Sequence, residues 1–451
     1  MGKIHIRTLT LVSTVAVAAA VLSGCSAASS GSTTTSVSKD DITKAMNKAT
    51  TLTFWTSVPN IQTEVDLFEK AYPKVKINVV NVGQGATYYT KLESAIQAGS
   101  GAPDIAQVEY THIPSFVLSK DLLDLAPYGA NDIKPDFTPS AWSLVSRGDT
   151  VYGIPQDSGP LGLLYRDDIL KANGIDTPTT WADFATAAEK LHAADPATYL
   201  TNIPSSNGSA LLGLFQQAGA NPFSYDGKKT VNVNLDSAAD KKVTDYWSKL
   251  ISEGAVSTDP DFTDSWYQGL ASGKQASWIA AAWGPSFLQG TAADTSGKWR
   301  ASELPQWTAG AHDSGIVGGS ADSVLTSTKH PIQAAVFTQW LNHDKESTLD
   351  FAVKQFFFPT TTATLKDTKF TDQAYPFYGG QQVNKIFASI SSNITGEFGA
   401  LPFMDYVYDS FNTTLGKAMA DGGTGMDAGL TAWQDAVVKY AKAQGFTVTT
   451  K

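Results

Sequence analysis

Three polar side chains in a row, Gln156, Asp157 and Ser158, stand between two apolar runs, Val151–Ile154 and Leu161–Tyr165. An amide, a carboxylate and a hydroxyl held between two strands suit a polyhydroxylated ligand. The carboxylate is the strongest acceptor of the three, because charge-assisted hydrogen bonds are roughly twice as strong as neutral ones. Glu109 and Tyr110 follow another apolar run, Ile105–Val108, and are placed to act in the same way. Two carboxylates in one cleft would also suffice for glycoside hydrolysis, yet nothing in the spacing of the acids marks a pair. A sugar-binding site uses the same carboxylates without catalysis.

Other chemistries lack their residues. There is no Gly-x-x-x-x-Gly-Lys-Ser/Thr loop and no strand-linked Gly-x-Gly-x-x-Gly, His-Glu-x-x-His, Cys-x-x-Cys or Gly-x-Ser-x-Gly. The six histidines (His5, His112, His192, His312, His330 and His343) are not at metal-ligand spacing. Asp259, Asp261 and Asp264 lack the glycine and glutamate of a calcium loop and read as a solvated helix start. No catalytic residue, metal or cofactor is therefore expected. A net charge of −10 without a basic patch argues against nucleic acid as a partner. The chain carries 11 Trp and 16 Tyr, whose flat rings with polar edges serve equally as sugar platforms or as core.

The elements that must position these groups begin at Thr51. Leu52–Trp55, Val75–Val82 and Ile105–Val108 read as strands, with helices over Thr63–Tyr72 and Tyr88–Ala98 between them. This βαβαβ order predicts an α/β lobe with a largely parallel sheet. Ligands then bind beyond the carboxyl ends of its strands, at Thr56–Asn60, Gly83–Thr87 and Glu109–Pro114. Val151–Ile154 and Leu161–Tyr165 are strands, and Thr180 with Asp183 is close to a capping box for a helix from Trp181. Asn221–Asn234 predicts a hairpin turned at Asp226-Gly227. Helices are expected over Asp236–Gly254, Tyr267–Gly273, Lys329–Leu341, Gln381–Ser391, Asp409–Ala420 and Met426–Gln444, with a strand at Ala276–Ala282. Phe356–Phe358 is apolar and reads as core.

At the amino end, Lys3 and Arg7 precede an apolar run, Leu9–Val21, and then Leu22-Ser23-Gly24-Cys25. The run is short for a membrane span and ends at a cleavage-like site. Small residues before a cysteine resemble the bacterial lipobox, which implies a diacylglyceryl-modified Cys25. The alternative is an ordinary leader followed by a free cysteine. Ser26–Ser38 is rich in Ser, Thr, Ala and Gly, a composition for a flexible tether. Lys39–Ala49 is expected as a short frayed helix.

Three stretches carry a resemblance that spans Leu52 to about Gln444. One is Val151–Trp181, with Tyr152-Gly153-Ile154-Pro155, Leu164-Tyr165-Arg166, Gly174, Pro178 and Thr180-Trp181. The second is Ala98–Asp104, a glycine turn followed by Pro103-Asp104. The third is Gly315–Thr328, with Gly318-Gly319. The chain resembles the solute-binding receptors of carbohydrate ABC importers, extracellular solute-binding protein family 1. It departs from their pattern at Arg166, where an asparagine is usual. The resemblance implies a two-lobed periplasmic-binding-protein-like fold (type II) in the α/β class, each lobe a largely parallel sheet flanked by helices. The expected division is leader 1–24, anchored tether 25–50, first lobe 51–156 and 316–343, and second lobe 157–315 and 344–451. Crossings fall at Pro155–Pro160, His312–Val317 and near Asn342–Ser347.

By the same resemblance the ligand contacts are Glu109, Tyr110, Gln156, Asp157, Trp283, Gly319, Ser320, Tyr378, Phe403 and Asp405, with Tyr408 close by. In maltose-type relatives the aromatic follows the Gly-Pro. Here Trp283 precedes Gly284-Pro285, which leaves Trp283 and Phe287 as alternatives. The implied partners are an oligosaccharide, the transmembrane permease subunits and, through Cys25, the outer face of the cell membrane. The protein is expected to be a monomer, with ATP hydrolysis on a separate subunit. The rival readings are the same scaffold with a polyamine or organic acid as cargo, and a secreted carbohydrate-active enzyme.

Overall fold

The structure, a computed structural model, describes residues 36–83, 85–396 and 399–451. The expected leader, Cys25 and most of the tether lie outside them. Among the described residues no helix is long and apolar enough to cross a membrane, and no cluster of His, Cys, Asp or Glu is arranged to hold a metal ion.

The first sheet has five strands in the order Val75–Val80, Thr50–Trp55, Ile105–Glu109, Ser320–Val324, Ile154–Pro155. Thr50–Trp55 pairs in parallel with both of its neighbours. Ser320–Val324 returns from far along the chain and runs antiparallel to the strands on either side. Alternation sets the two faces. Leu52, Phe54 and Val75 pack with Val65 and Phe68 of helix Gln62–Ala71 and Phe337 of helix Pro331–His343. Phe337 meets Phe54 edge-on at 5.6 Å and Phe68 at 4.9 Å. Ala106 and Val108 face the other way, toward Tyr88, Tyr89 and Leu92 of helix Gly85–Gln97.

The second sheet has three strands in the order Ser277–Ala281, Leu161–Arg166, Trp299–Glu303. Both outer strands are antiparallel to the central one, so the expectation of a largely parallel sheet in each lobe fails here. The central strand leaves the crossing and the outer two come back to it, so both outer strands end at the inter-lobe side. The central strand is buried throughout, which requires cover on both faces. Leu161, Leu163 and Tyr165 join one core with Trp181, Phe184, Leu211, Phe215 and Trp247. Leu164 joins another with Trp266, Trp278, Trp299 and Phe387. Gly162 has to be glycine, because a Cβ there would lie 2.9 Å from the Phe387 ring.

Local signals set several boundaries. Thr180 and Asp183 form a capping box, and so do Ser237 and Asp240. The Phe223–Tyr225/Thr230–Val233 hairpin turns where Asp226 Oδ1 accepts three backbone N–H groups, and Thr447–Thr449 adds a third strand to it. The expected helix Asp409–Ala420 is two helices, Met404–Thr413 and Leu415–Ala420, broken at Thr414 (φ −121°, ψ −98°). Lys39–Met46 is a capped, docked helix rather than a frayed part of the tether: Ser38 accepts from Asp41 N, and Gln333 donates to Ala45 O at 3.2 Å.

Three segments join the sheets and pair with one another. Val317 N donates to Gly159 O at 2.8 Å, and Leu161 N donates to Gly315 O at 2.9 Å. Ser158 N donates to Phe358 O at 3.1 Å, and Asp157 bridges Pro359. The third crossing thus runs at 356–360, later than Asn342–Ser347. Helix Lys345–Lys354 precedes it and packs on both lobes: Phe351 lies in the first-lobe core and Gln355 donates to Glu64, while Ala352 joins the core of Leu164 and Phe387.

Candidate functional site

The carboxyl ends of the first-lobe strands converge as the βαβ order requires. Ser57, Gly85, Tyr88, Tyr89, Gln107 and Glu109 line one small polar pocket there. Gln107 Oε1 accepts from Thr56 Oγ1, Ser57 N and Ser57 Oγ at 2.9, 2.9 and 3.1 Å, which ties the first loop to the third strand. The Tyr89 hydroxyl accepts from Glu109 N at 2.9 Å. Its ring stacks on His112 at 3.5 Å, with the planes 8° apart. His112 Nε2 lies 3.3 Å from Asp405 Oδ1, on second-lobe helix Met404–Thr413, and Nδ1 lies 3.7 Å from Glu109. This is a direct polar contact between the lobes. Burial raises the Glu109 carboxyl while His112 draws it back. The bond and charge of His112 hold Asp405 below the usual range.

The second lobe contributes rings. Trp283 follows the end of Ser277–Ala281, at the turn into helix Gly284–Thr291. Its indole N–H donates to Val317 O of the second crossing at 3.1 Å. Phe287 lies one helical turn on, at 5.7 Å, and Phe262 lies at 5.9 Å on the other side. Phe287 and Phe262 are 51% and 45% exposed, uncommon for rings of that size outside a binding surface. Asp261, beside Phe262, accepts from Asn207 at 2.8 Å.

The two halves meet at the crossing. A Cβ on Gly318 would lie 3.2 Å from the Trp283 nitrogen, and one on Gly319 would lie 2.6 Å from Tyr110 Cε2. Trp283 and Tyr110 therefore flank consecutive residues of the crossing, just before strand Ser320–Val324. Tyr89, Glu109 and His112, with Asp405 against His112, form the polar group on one side of this crossing, and Phe262, Trp283 and Phe287 form the ring group on the other.

Several expected contacts sit elsewhere. Tyr110 is buried and donates to Asp157 O at 2.8 Å. Asp157 Oδ1 accepts from Ser320 N and Oγ at 2.8 and 2.6 Å. Gln156 donates to Asp322 Oδ2 at 2.8 Å and accepts from Gln107 at 3.1 Å. Asn342 closes the network on Asp322 at 2.8 Å. Gln156, Asp157 and Ser320 are thus spent on holding the crossings together, because three strands from distant parts of the chain close over them. Gly319 is needed for its φ of 97° and its contact with Tyr110. Burial pushes Asp157 up to about 6 and Asp322 up to about 7, against their hydrogen bonds. Tyr378 is core, and its hydroxyl donates to Pro285 O at 2.8 Å. Phe403 packs on Tyr440 and Phe446 at 5.4 Å each, beside the last helix. Of the ten expected residues, Glu109 and Asp405 are exposed and Trp283 is half-buried, and these three stay with the candidate site.

Tyr89, His112, Phe262 and Phe287 complete it. His112 lies in the loop Glu109–Pro114, and its position was the available signal. Phe262 was hidden among the acids Asp259–Asp264.

The family model described as bacterial extracellular solute-binding protein matches residues 55–346. The arabinooligosaccharide-binding proteins of Halalkalibacterium halodurans and Bacillus subtilis are each 26% identical over 66% of this chain, and the matches span 67% and 70% of their own lengths. An ABC-transporter-associated binding protein from B. animalis subsp. lactis Bl-04, solved with β-1,6-galactobiose, is 30% identical. It superposes with a TM-score of 0.76 over 89% of this chain and 100% of its own. The galacto-N-biose/lacto-N-biose I-binding protein of a Bifidobacterium longum ABC transporter, solved with lacto-N-biose, is 26% identical, with a TM-score of 0.77 over 88% and 98%.

Proposed function

Because this chain belongs to the bacterial extracellular solute-binding protein family, we propose that it is the receptor of an ABC importer and captures an oligosaccharide between its lobes. The observation that carries the reading is the ring cluster Phe262–Trp283–Phe287 on the second lobe, which meets the first lobe at consecutive crossing residues: Trp283 lies against Gly318, and Tyr110, next to Glu109, lies against Gly319. Rings stack on the apolar faces of a sugar, and the carboxylates and the imidazole take its hydroxyls. Relatives that bind arabinooligosaccharides, galactobiose and lacto-N-biose support that class of cargo.

The mechanism is hinge closure. Ligand stabilises the closed form only through contacts made with both lobes at once, and the ring cluster and the Glu109–His112 group lie on different lobes. The three crossing segments are the hinge, and their buried network fixes its register. The closed form docks on permease subunits as a monomer and releases the sugar there. Cys25 carries the lipid that holds the receptor at the outer membrane face. A chain of buried methylenes at about 0.8 kcal/mol each makes such anchoring stable when two or more acyl chains are attached.

Calorimetric titration with di- to hexasaccharides, with the sugar recovered afterward, tests the proposal. One-to-one binding with intact sugar is expected. Binding of a polyamine or organic acid alone would overturn the cargo, and cleaved sugar would overturn the receptor role. Replacing Cys25 with alanine is expected to move the protein from the membrane fraction to the medium.

A further inference from the structure

The acids Asp259, Asp261 and Asp264, expected together as a solvated helix start, take three different positions. Asp264 opens helix Asp264–Ser272 and is exposed. Asp259 pairs with Lys274 at 2.7 Å. Asp261 does neither. It is half-buried, and its Oδ2 accepts from Asn207 Nδ2 at 2.8 Å. Its Oδ1 carries no hydrogen bond among the described residues and reaches solvent. Burial pushes this carboxyl up, and the bond from Asn207 draws it back.

The second lobe fixes where Asp261 stands. Strand Ser277–Ala281 runs toward the crossing and delivers Trp283 there. Two segments lie beside it in the same direction, through the parallel bridges Tyr199 to Gln275 and Asn202 to Ser257. Chains that run in parallel leave a sheet at the same end. The loops 204–207 and 258–263 therefore emerge where Trp283 does. Ser205 N and Oγ donate to Thr258 O at 3.3 and 3.0 Å, and Asn202 Nδ2 donates to Asp259 O at 3.0 Å, which ties one loop to the other. Phe262, next to Asp261, is 45% exposed at φ 56°, with its ring 5.9 Å from that of Trp283. A bulky residue at positive φ is an outlier, and such strain collects at functional sites.

The geometry assigns Asp261 as a specificity-determining contact: its carboxylate accepts hydroxyls of a saccharide stacked on the ring cluster, and it selects neutral saccharides over acidic ones. Asn207 is the positioning residue that holds it. The inference rests on the receptor reading above. A carboxylate accepts a hydroxyl in a charge-assisted bond, roughly twice as strong as a neutral one. The same charge repels the carboxylate of a uronic acid. Glu109 and Asp405 repel it too, because His112 is their ion-pair partner and no lysine or arginine pairs with either among the described residues.

The test is calorimetry at neutral pH with the purified full chain. The probes are two- to four-unit oligosaccharides of arabinose, galactose and glucose, and oligogalacturonides of the same lengths. The parent is expected to bind a neutral saccharide at least about tenfold more tightly than any oligogalacturonide. Asp261→Asn keeps the shape and removes the charge. It is expected to melt no lower than the parent, since burial disfavours the charged form. It should bind the preferred neutral saccharide about tenfold more weakly and narrow the gap to the acidic ones. Asn207→Ser keeps a capping residue before helix Gly208–Gln217 and removes the amide. It should weaken binding severalfold in the parent and add nothing to the loss in Asp261→Ala. Additive losses overturn the role of Asn207. Unchanged affinity in Asp261→Asn, or tighter binding of an oligogalacturonide by the parent, overturns the assignment and leaves the receptor standing. Absence of saccharide binding by the parent overturns both.

Discussion

Asp322 gives the sharpest consequence of the buried hinge network. It is 0% exposed on the strand between Ile105–Glu109 and Ile154–Pro155. One carboxyl oxygen accepts from Gln156 and Asn342 at 2.8 Å each, while the other is buried without a partner. Burial therefore favours the neutral acid, with the Asp157 charge adding to the effect, and the pKa rises from 3.8 to about 7. A folded-state pKa above the unfolded one means that the folded protein holds the proton more tightly. The contribution to stability is then fully present below the unfolded pKa and is lost as pH rises through the folded one. Between about pH 8.5 and about pH 5.5 this group alone adds about 2 kcal/mol, since each pKa unit is worth about 1.4 kcal/mol. Urea unfolding across that range should show stability increasing toward the acid end. Asp157, at about 6, contributes in the same direction. Asp322→Asn keeps the shape and removes the titration, so its profile should be flatter by about 2 kcal/mol. If the variant and the parent show parallel profiles, Asp322 is ionised in the fold and the reasoning fails.

Trp283→Ala should lower sugar affinity at least about tenfold and abolish most of the emission change on binding, at a stability cost of roughly 1–3 kcal/mol for a half-buried ring. Gly319→Ala forces a left-handed backbone onto alanine and sets its Cβ 2.6 Å from Tyr110; thermal melting should report a loss of roughly 2–4 kcal/mol. Asp405→Asn should leave the melting temperature nearly unchanged, because an exposed ion pair contributes about 0–1 kcal/mol. The same variant should open the sugar-free receptor slightly at low salt, seen as a larger radius of gyration by small-angle scattering.

Local elements were legible because their signals are local. The apolar runs at Leu52–Trp55 and Leu161–Tyr165 became strands, and the Thr180–Asp183 pair became a capping box. The hairpin at Asp226-Gly227 formed where turn residues placed it. The strand Trp299–Glu303 was not foreseen, because its burial alternation is weak and its pairing partner lies far back in the chain. Strand direction in the second sheet was equally hidden, since it depends on where the chain returns.

Residue types, spacing and the three motif stretches were enough to set the class of fold and the family. They did not decide which polar side chains face the cleft. Gln156, Asp157 and Ser320 have the chemistry of ligand contacts, yet they became the buried seam of the hinge. Glu109 and His112 stayed at the surface. The physical reason is that orientation and burial are set by what packs on top. Ser320–Val324 arrives from far along the chain to cover Gln156 and Asp157, and Phe358 closes the other side. No local pattern records that cover, so only the assembled tertiary structure separates a hydrogen bond kept for the hinge from one left open to a sugar.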